Sequence, residues 1–172
     1  MLRREGAVRS AFAAFAGFAS AVLAVTVVWP PRPLLVWNAS ASAPIGLYGV
    51  GSPRKVRPGD TVIAWPPAGV GALAAERRYL PSNVPLVKRV SSAAGDRVCA
   101  AGEAIWVNGR YAAHRRAFDG RGRPMPSWTG CRTLSSAEYL LLNDSPDSFD
   151  GRYFGVTQRD EIVGRAVLLW AR

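Results

Sequence analysis

Three segments of the chain carry side chains that could do chemistry. The first, Ser40-Ala41-Ser42-Ala43-Pro44-Ile45-Gly46-Leu47-Tyr48, sets small hydroxyls just ahead of a Pro/Gly turn. A serine hydroxyl is a poor nucleophile at neutral pH and needs an adjacent base. Without one the segment is a plain linker, and Asn38-Ala39-Ser40 is also a formal glycosylation sequon. The second segment is Pro85-Leu86-Val87-Lys88-Arg89-Val90. On a strand, Leu86, Lys88 and Val90 share a face, and burial there would drive the Lys88 ammonium toward the neutral amine. Bringing a lysine from about 10.4 to near 7 takes roughly 4 kcal/mol of differential environment. A buried strand position can supply that; an edge-strand lysine with its head in water cannot. The third segment, Asn143-Asp144-Ser145-Pro146-Asp147-Ser148-Phe149-Asp150-Gly151-Arg152-Tyr153-Phe154-Gly155, gathers two serines, three carboxylates and an arginine. It reads equally as a polar network or as an acidic surface loop.

Other chemistries are poorly provided for. One histidine and two cysteines among 172 residues nearly exclude a closed zinc site unless a carboxylate completes it. A Ser-His-Asp triad would have to use His114, and no nucleophile-elbow pattern accompanies it. Neither a cofactor nor a metal is expected. The formal charge of +10 raises nucleic acid as a partner. The basic residues are scattered, however, as Arg54-Lys55, Arg77-Arg78, Lys88-Arg89, Arg115-Arg116 and Arg121 to Arg123, with no recognition motif around them. No nucleic-acid partner is expected.

The elements that must position these residues fall into an anchor and a β domain. Between Arg9 and Arg32 there is no charged residue, and residues 10–29 are dominated by Ala, Phe and Val. A helix of that length spans roughly 30 Å, the hydrocarbon thickness of a bilayer. Arg3, Arg4 and Arg9 precede it against Glu5 alone, which places residues 1–9 in the cytoplasm and residues 30–172 outside it. A cleaved signal peptide competes with this reading, but the small-residue sites at Ala19-Ser20-Ala21 and Ala39-Ser40-Ala41 are badly spaced for a short apolar region. Without the anchor the chain keeps 19 basic and 11 acidic residues, a +8 domain suited to anionic lipid headgroups. Its short apolar runs at 47–50, 61–65, 86–90, 104–107, 139–142 and 162–170 predict a mainly β, antiparallel fold. Asn108-Gly109 predicts a tight hairpin, residues 70–79 a short helix ended before Pro81, and residues 114–130 an excursion between strands. In an oxidising compartment Cys99 and Cys131 could pair.

Taken together the segments resemble the bacterial type I signal peptidases, most closely the TraF-type peptidases of conjugative transfer, which are membrane-anchored Ser-Lys enzymes. Ser42-Ala43-Pro44-Ile45-Gly46-Leu47-Tyr48 is similar to the nucleophile box, Lys88-Arg89-Val90 with Gly95-Asp96 to the lysine box, and Ser148-Phe149-Asp150-Gly151-Arg152-Tyr153-Phe154-Gly155 to the last box. The resemblance spans residues 38–164. General signal peptidases place Ser-Met-x-Pro at the nucleophile; Ala43 and the early Pro44 favour the TraF branch. It implies an antiparallel β catalytic domain behind one N-terminal transmembrane helix. In that domain Ser42 would be the nucleophile and Lys88 its base. The Ser42 N–H and the Ser40 hydroxyl would hold the oxyanion, Ser148 would orient the lysine, and Asp150 and Arg152 would be a supporting ion pair that holds that segment in place. It also implies a membrane-associated precursor such as a pilin or preprotein as substrate, cleaved and then hydrolysed or cyclised, at the inner membrane with the site in the periplasm. The alternatives are general preprotein processing or a non-catalytic scaffold of a secretion apparatus. Ile45, Leu47 and Trp65 are the residues expected to meet the bilayer.

Overall fold

The computed structural model describes residues 2–28 and 32–172, with side chains from residue 12 onward except Val27. The chain divides into two compact units, with the boundary between Arg32 and Pro33. The first contains helix α1, Leu2–Val28. Phe12, Phe15, Phe18 and Leu23 are exposed on it, and Ala19 is half-buried. Among the described residues no helix is long and apolar enough to cross a membrane. Residues 10, 11, 27 and 29 of the expected anchor, and the arginine side chains before it, lie outside the described side chains.

The second unit runs β1 (Leu35–Asn38), β2 (Gly46–Val50), β3 (Thr61–Ala64), α2 (Ala68–Glu76), β4 (Leu86–Ser92), β5 (Arg97–Ala101), β6 (Ala104–Val107), β7 (Arg110–His114), β8 (Gly130–Thr133), β9 (Glu138–Leu141), α3 (Gly151–Phe154), β10 (Val156–Gln158) and β11 (Ile162–Ala171). Among the described residues these strands form a sheet in the order β1-β2-β11-β3-β4-β9-β10 and a smaller one in the order β7-β6-β5-β8, antiparallel throughout. The period-2 geometry of a strand sends neighbours to opposite faces, and the central strands are covered on both. Val62 packs with Val90, Tyr139 and Leu141, while Ile63 packs with Tyr48, Val87 and Ala166. Leu140 reaches Val98 and Ile105 of the small sheet and so joins the two.

The expected hairpin is present: Asn108 and Gly109, at φ 48° and 77°, connect β6 directly to β7. The expected helix is displaced. It starts at Ala68, after Pro66 and Pro67, and ends at Glu76, because Arg78 turns left-handed at φ 60°. Strands β1, β5, β8 and β10 were not anticipated. Gly130-Cys131-Arg132-Thr133 in β8 is exposed along its length, so it carries no alternation to read. The excursion between β7 and β8 is confirmed, and it returns to the sheet where Cys131 lies opposite Cys99.

Those cysteines are joined by a disulfide across the β5–β8 ladder, 32 residues apart in sequence. Closing a loop of that length stabilises by roughly 3 to 4 kcal/mol on the chain-entropy estimate. Cys99→Ala/Cys131→Ala should therefore lose about that much in urea unfolding, while wild-type protein treated with a thiol reagent before reduction should show no titratable thiol.

Candidate active site

The side chains of Ser42, Lys88 and Ser148 converge from three parts of the second unit. Lys88 is the third residue of β4, paired with Val62 of β3 and 3% exposed, with Leu86 and Val90 also buried. Its Nζ lies 2.7 Å from Ser148 Oγ and 3.3 Å from Ser42 Oγ. Burial is the main cause that lowers its pKa, to about 8. Asp150 opposes the shift and Arg152 adds to it. These two influences offset because the residues are themselves a buried ion pair, Arg152 Nε to Asp150 Oδ1 at 2.8 Å. A neutral amine can donate one N–H to Ser148 and turn its lone pair toward the Ser42 hydroxyl.

The loop bearing Ser42 is shaped by two residues at its ends. Asn38, buried at the end of β1, donates through Nδ2 to the carbonyls of Ser40, Ala43 and Pro44 at 3.0 to 3.2 Å. Its Oδ1 accepts the Ser40 N–H at 3.1 Å. With its amide nitrogen thus enclosed, a glycan on the formal sequon is incompatible with this loop. Tyr48 closes the other end, its hydroxyl donating to the Pro44 carbonyl at 2.8 Å. Gly46 is required between them: a Cβ there would lie 2.0 Å from the Trp170 carbonyl oxygen. The loop brings Ser40 Oγ within 3.0 Å of Ser42 Oγ, and the Ser42 N–H points at Ser40 Oγ at 3.3 Å. The two expected oxyanion donors are therefore adjacent and face one another across a long bond that an incoming carbonyl could replace.

The third segment is a polar network rather than a solvated acidic loop, although Asp144 and Asp147 are exposed. Asp150 accepts the Asn143 and Arg152 N–H groups at 3.0 and 3.1 Å, the second capping α3. Arg152 donates to the carbonyls of Asn143, Pro146 and His114. Together they close the loop that holds Ser148. Asn143 was not singled out by sequence, yet it grips β4 on both sides of Lys88. Its Nδ2 donates to the Val87 carbonyl at 3.1 Å and its Oδ1 accepts the Arg89 N–H at 2.9 Å. His114 stands at the surface, 3.5 Å from Glu103. Among the described residues no three His, Cys, Asp or Glu side chains cluster as a metal site.

Two grooves meet at Ser42. One, of about 640 Å³, is lined by Trp37, Val84, Leu86, Lys88, Tyr79 and Phe149. The other, of about 600 Å³, is lined by Ile45, Tyr48, Thr61, Arg89, Asp144 and Leu168. A chain crossing the hydroxyl would thus meet a groove with aromatic walls and Lys88 on one side and a groove carrying Arg89 and Asp144 on the other.

With that geometry in hand, comparison with known proteins is informative. Residues 7–171 match the family described as signal peptidase, peptidase S26. The chain belongs to this family. It is 38% identical over 146 residues to the plasmid transfer protein TraF of Escherichia coli, covering 77% of this chain and 82% of that one. A second Escherichia coli protein of the same description is 38% identical over 147 residues, with the same coverage of each chain. Among solved structures, a signal peptidase I from Enterococcus faecalis aligns with 65% of this chain and 97% of its own, at 17% identity and a TM-score of 0.37. The family is one of serine peptidases, in keeping with the antiparallel β architecture.

Two expectations follow from the geometry. Because folding lowers the Lys88 pKa from 10.5 to about 8, the unfolded chain binds the extra proton between those values, and stability falls as pH falls through that window. The stability of Lys88→Met relative to wild type should therefore rise by about 3 kcal/mol from pH 10.5 to pH 8 in paired unfolding curves and stay level below. Asn143→Ala strands a buried carbonyl and N–H on β4 and should destabilise by about 2 to 3 kcal/mol in the same measurement.

Proposed function

We propose that this protein is a membrane-anchored endopeptidase in which Ser42 is the nucleophile and Lys88 its base. Its substrate would be an exported, membrane-associated precursor, of the pilin type in conjugative transfer. The observation that carries the reading is the buried Lys88 amine, within 3.3 Å of a half-buried serine hydroxyl and held by a second hydroxyl rather than by a carboxylate. The conjugative assignment draws on the relatives described as plasmid transfer proteins and on Ala43 in the nucleophile segment.

In the reaction, Lys88 Nζ takes the Ser42 proton as Oγ bonds to the scissile carbonyl carbon. The carbonyl oxygen becomes an oxyanion that the Ser42 N–H and the Ser40 hydroxyl stabilise; one such donor is typically worth about 3 to 4 kcal/mol in the barrier. Collapse breaks the C–N bond, and the Lys88 ammonium returns its proton to the leaving amine. The same amine then deprotonates the group that attacks the ester, either water, which gives an acid, or a substrate amine, which gives a new peptide bond; the ester C–O bond breaks and the Lys88 ammonium returns that proton to Ser42 Oγ. Ser148 orients the amine throughout, and Asp150 with Arg152 supports Ser148.

The proposed anchorage rests on the sequence of residues 10–29, with the N-terminus cytoplasmic and the second unit in the periplasm. A lipid surface close to the site is further supported by an exposed apolar edge. Leu34 and Leu35, Trp37, and Val167 to Trp170 of β11 are all solvent-facing, and the Trp37 and Trp170 rings stand 5.7 Å apart. This edge is larger than the expected one, of which Trp65 is exposed while Ile45 and Leu47 are half-buried.

Processing of a co-expressed pilin precursor in membranes tests the assignment. Ser42→Ala, Lys88→Ala and Lys88→Arg should each abolish processing, the last because guanidinium stays charged. Wild-type activity should climb through a midpoint near pH 8, as the amine loses its proton. Full processing by the Ser42 and Lys88 variants, or a profile flat from about pH 5 to about pH 10, would exclude the pair. Mass spectrometry of the product separates hydrolysis from cyclisation, since a cyclic product is lighter by one water.

A further inference from the structure

The segment between β7 and β8 contributes nothing to the Ser42, Lys88 and Ser148 contacts, yet its tip is tightly folded. The Asp119 N–H donates to the Arg123 carbonyl and the Met125 N–H to that of Ala117, each at 2.9 Å. At the centre of this turn the Asp119 carboxylate accepts the N–H groups of Arg121 and Arg123 at 2.8 and 2.9 Å and the Arg123 guanidinium at 2.7 Å. Those donors suffice to build the turn. Asp119 nevertheless accepts one more hydrogen bond, from the hydroxyl of Tyr79, 40 residues away.

Tyr79 lies beyond the end of α2, and the Arg123 guanidinium caps its ring at 5.4 Å. The ring of Phe149 packs against it at 5.3 Å, and Phe149 is stacked in turn on Tyr153 at 5.8 Å. Phe149 directly follows Ser148, the residue that holds Lys88. Tyr79 and Phe149 both line the groove that contains Ser42 and Lys88. The root of the arm is fixed as well: the Trp128 indole donates to the Gly151 carbonyl, and the buried Arg115 guanidinium to the carbonyls of Gly102 and Trp128.

We infer that this arm is a clamp on the substrate groove, in which Asp119, acting through the Tyr79 hydroxyl, fixes the Tyr79–Phe149 wall and so sets which side chains the groove admits beside the scissile bond. The inference rests on the peptidase reading above. A tyrosine ring at the mouth of a groove can swing about its side-chain torsions; tying its hydroxyl to a carboxylate leaves it one position and keeps the wall preorganised before substrate arrives. Hydrogen bonds, first that from Tyr79, hold the Asp119 carboxyl well below the usual carboxylate range, so the clamp stays ionised across the working pH. Arg123, Arg121, Arg77 and Tyr79 are the charged or titratable groups around it, and none is a carboxylate that would compete for the proton. Asp119 and Tyr79 are thus positioning residues, and Phe149 is the wall they hold.

The test uses full-length protein in detergent micelles and two internally quenched peptides that differ only in Ala or Leu before the scissile bond. Tyr79→Phe keeps the ring and removes the hydroxyl, and Asp119→Asn keeps an acceptor for the turn. Each should cut the Ala-over-Leu ratio of kcat/KM by about tenfold, chiefly through KM. The double variant should be no worse than either single one, and the pH midpoint should stay at the wild-type value. Arg121→Ala, which alters an exposed side chain and leaves the turn's backbone bonds, should match wild type. Unchanged ratios in both single variants, effects that multiply in the double, or an equal loss in Arg121→Ala would each overturn the clamp. Cleavage by Ser42→Ala would overturn the peptidase reading and the clamp with it, whereas an inactive Ser42→Ala beside unaltered selectivity in Tyr79→Phe would overturn the clamp alone.

Discussion

An amine with no countercharge of its own, enclosed between strands, is the constraint on which the rest of the second unit depends. Lys88 loses hydration on folding, and among the described residues no carboxylate within hydrogen-bonding reach compensates for it; its two close partners are hydroxyl oxygens. Desolvation therefore decides its protonation state, and the fold must keep the enclosure intact for the amine to remain a base. This fits the interior place of β4 in its sheet and the burial of Leu86, Val90 and Val62 around it. It also explains the pairing of Asp150 with Arg152. An unpaired aspartate in that position would stabilise the ammonium and take the base out of use, whereas the bound pair structures the Ser148 loop at little electrostatic cost to Lys88.

The same constraint governs how the neighbouring loops are fastened. The residues that template them most directly, Asn38 and Asn143, are asparagines. An amide offers donors and an acceptor from one side chain and adds no net charge. A lysine or glutamate in either place could make some of the same bonds, but its charge would reach Lys88 through a medium of low dielectric and move its pKa. Glycine answers a different need, that of close approach. At Gly151 a Cβ would stand 2.8 Å from the Leu141 carbonyl oxygen, so only glycine lets the segment after Asp150 lie against β9.

Much of this was legible in the sequence, for physical reasons that differ from residue to residue. The alternation of Leu86, Lys88 and Val90 identified the face of the strand, the Asn108-Gly109 turn stated its own geometry, and the family resemblance tied three distant segments into one constellation. Asn38 looked like a glycosylation acceptor because a side chain that bonds its own loop leaves no periodic trace. Asn143 was quoted in its segment without a role because its partners, Val87 and Arg89, lie more than fifty residues away. The start of α2 was misjudged because two prolines fix the backbone independently of the apolar pattern. The arm between β7 and β8 was read as an excursion, because the contact on which its proposed role rests is made by Tyr79, forty residues away and beyond the end of α2.

The choice of base also bears on what the acyl-enzyme of the proposed reaction can do next. Histidine in a triad titrates near 6.5 and would find a substrate's terminal ammonium, at roughly 7.7 to 8.0, hard to deprotonate. Lys88, lowered by burial to about 8, lies close to that range, so proton transfer from an α-ammonium to its amine is nearly balanced. Water and a chain-terminal amine can then draw on the same base. Which one reaches the ester first becomes a matter of placement in the groove that Arg89 and Asp144 line together with Ser42. Burial of one lysine thus sets the strength of the base and leaves the fate of the intermediate to the groove that delivers the second nucleophile.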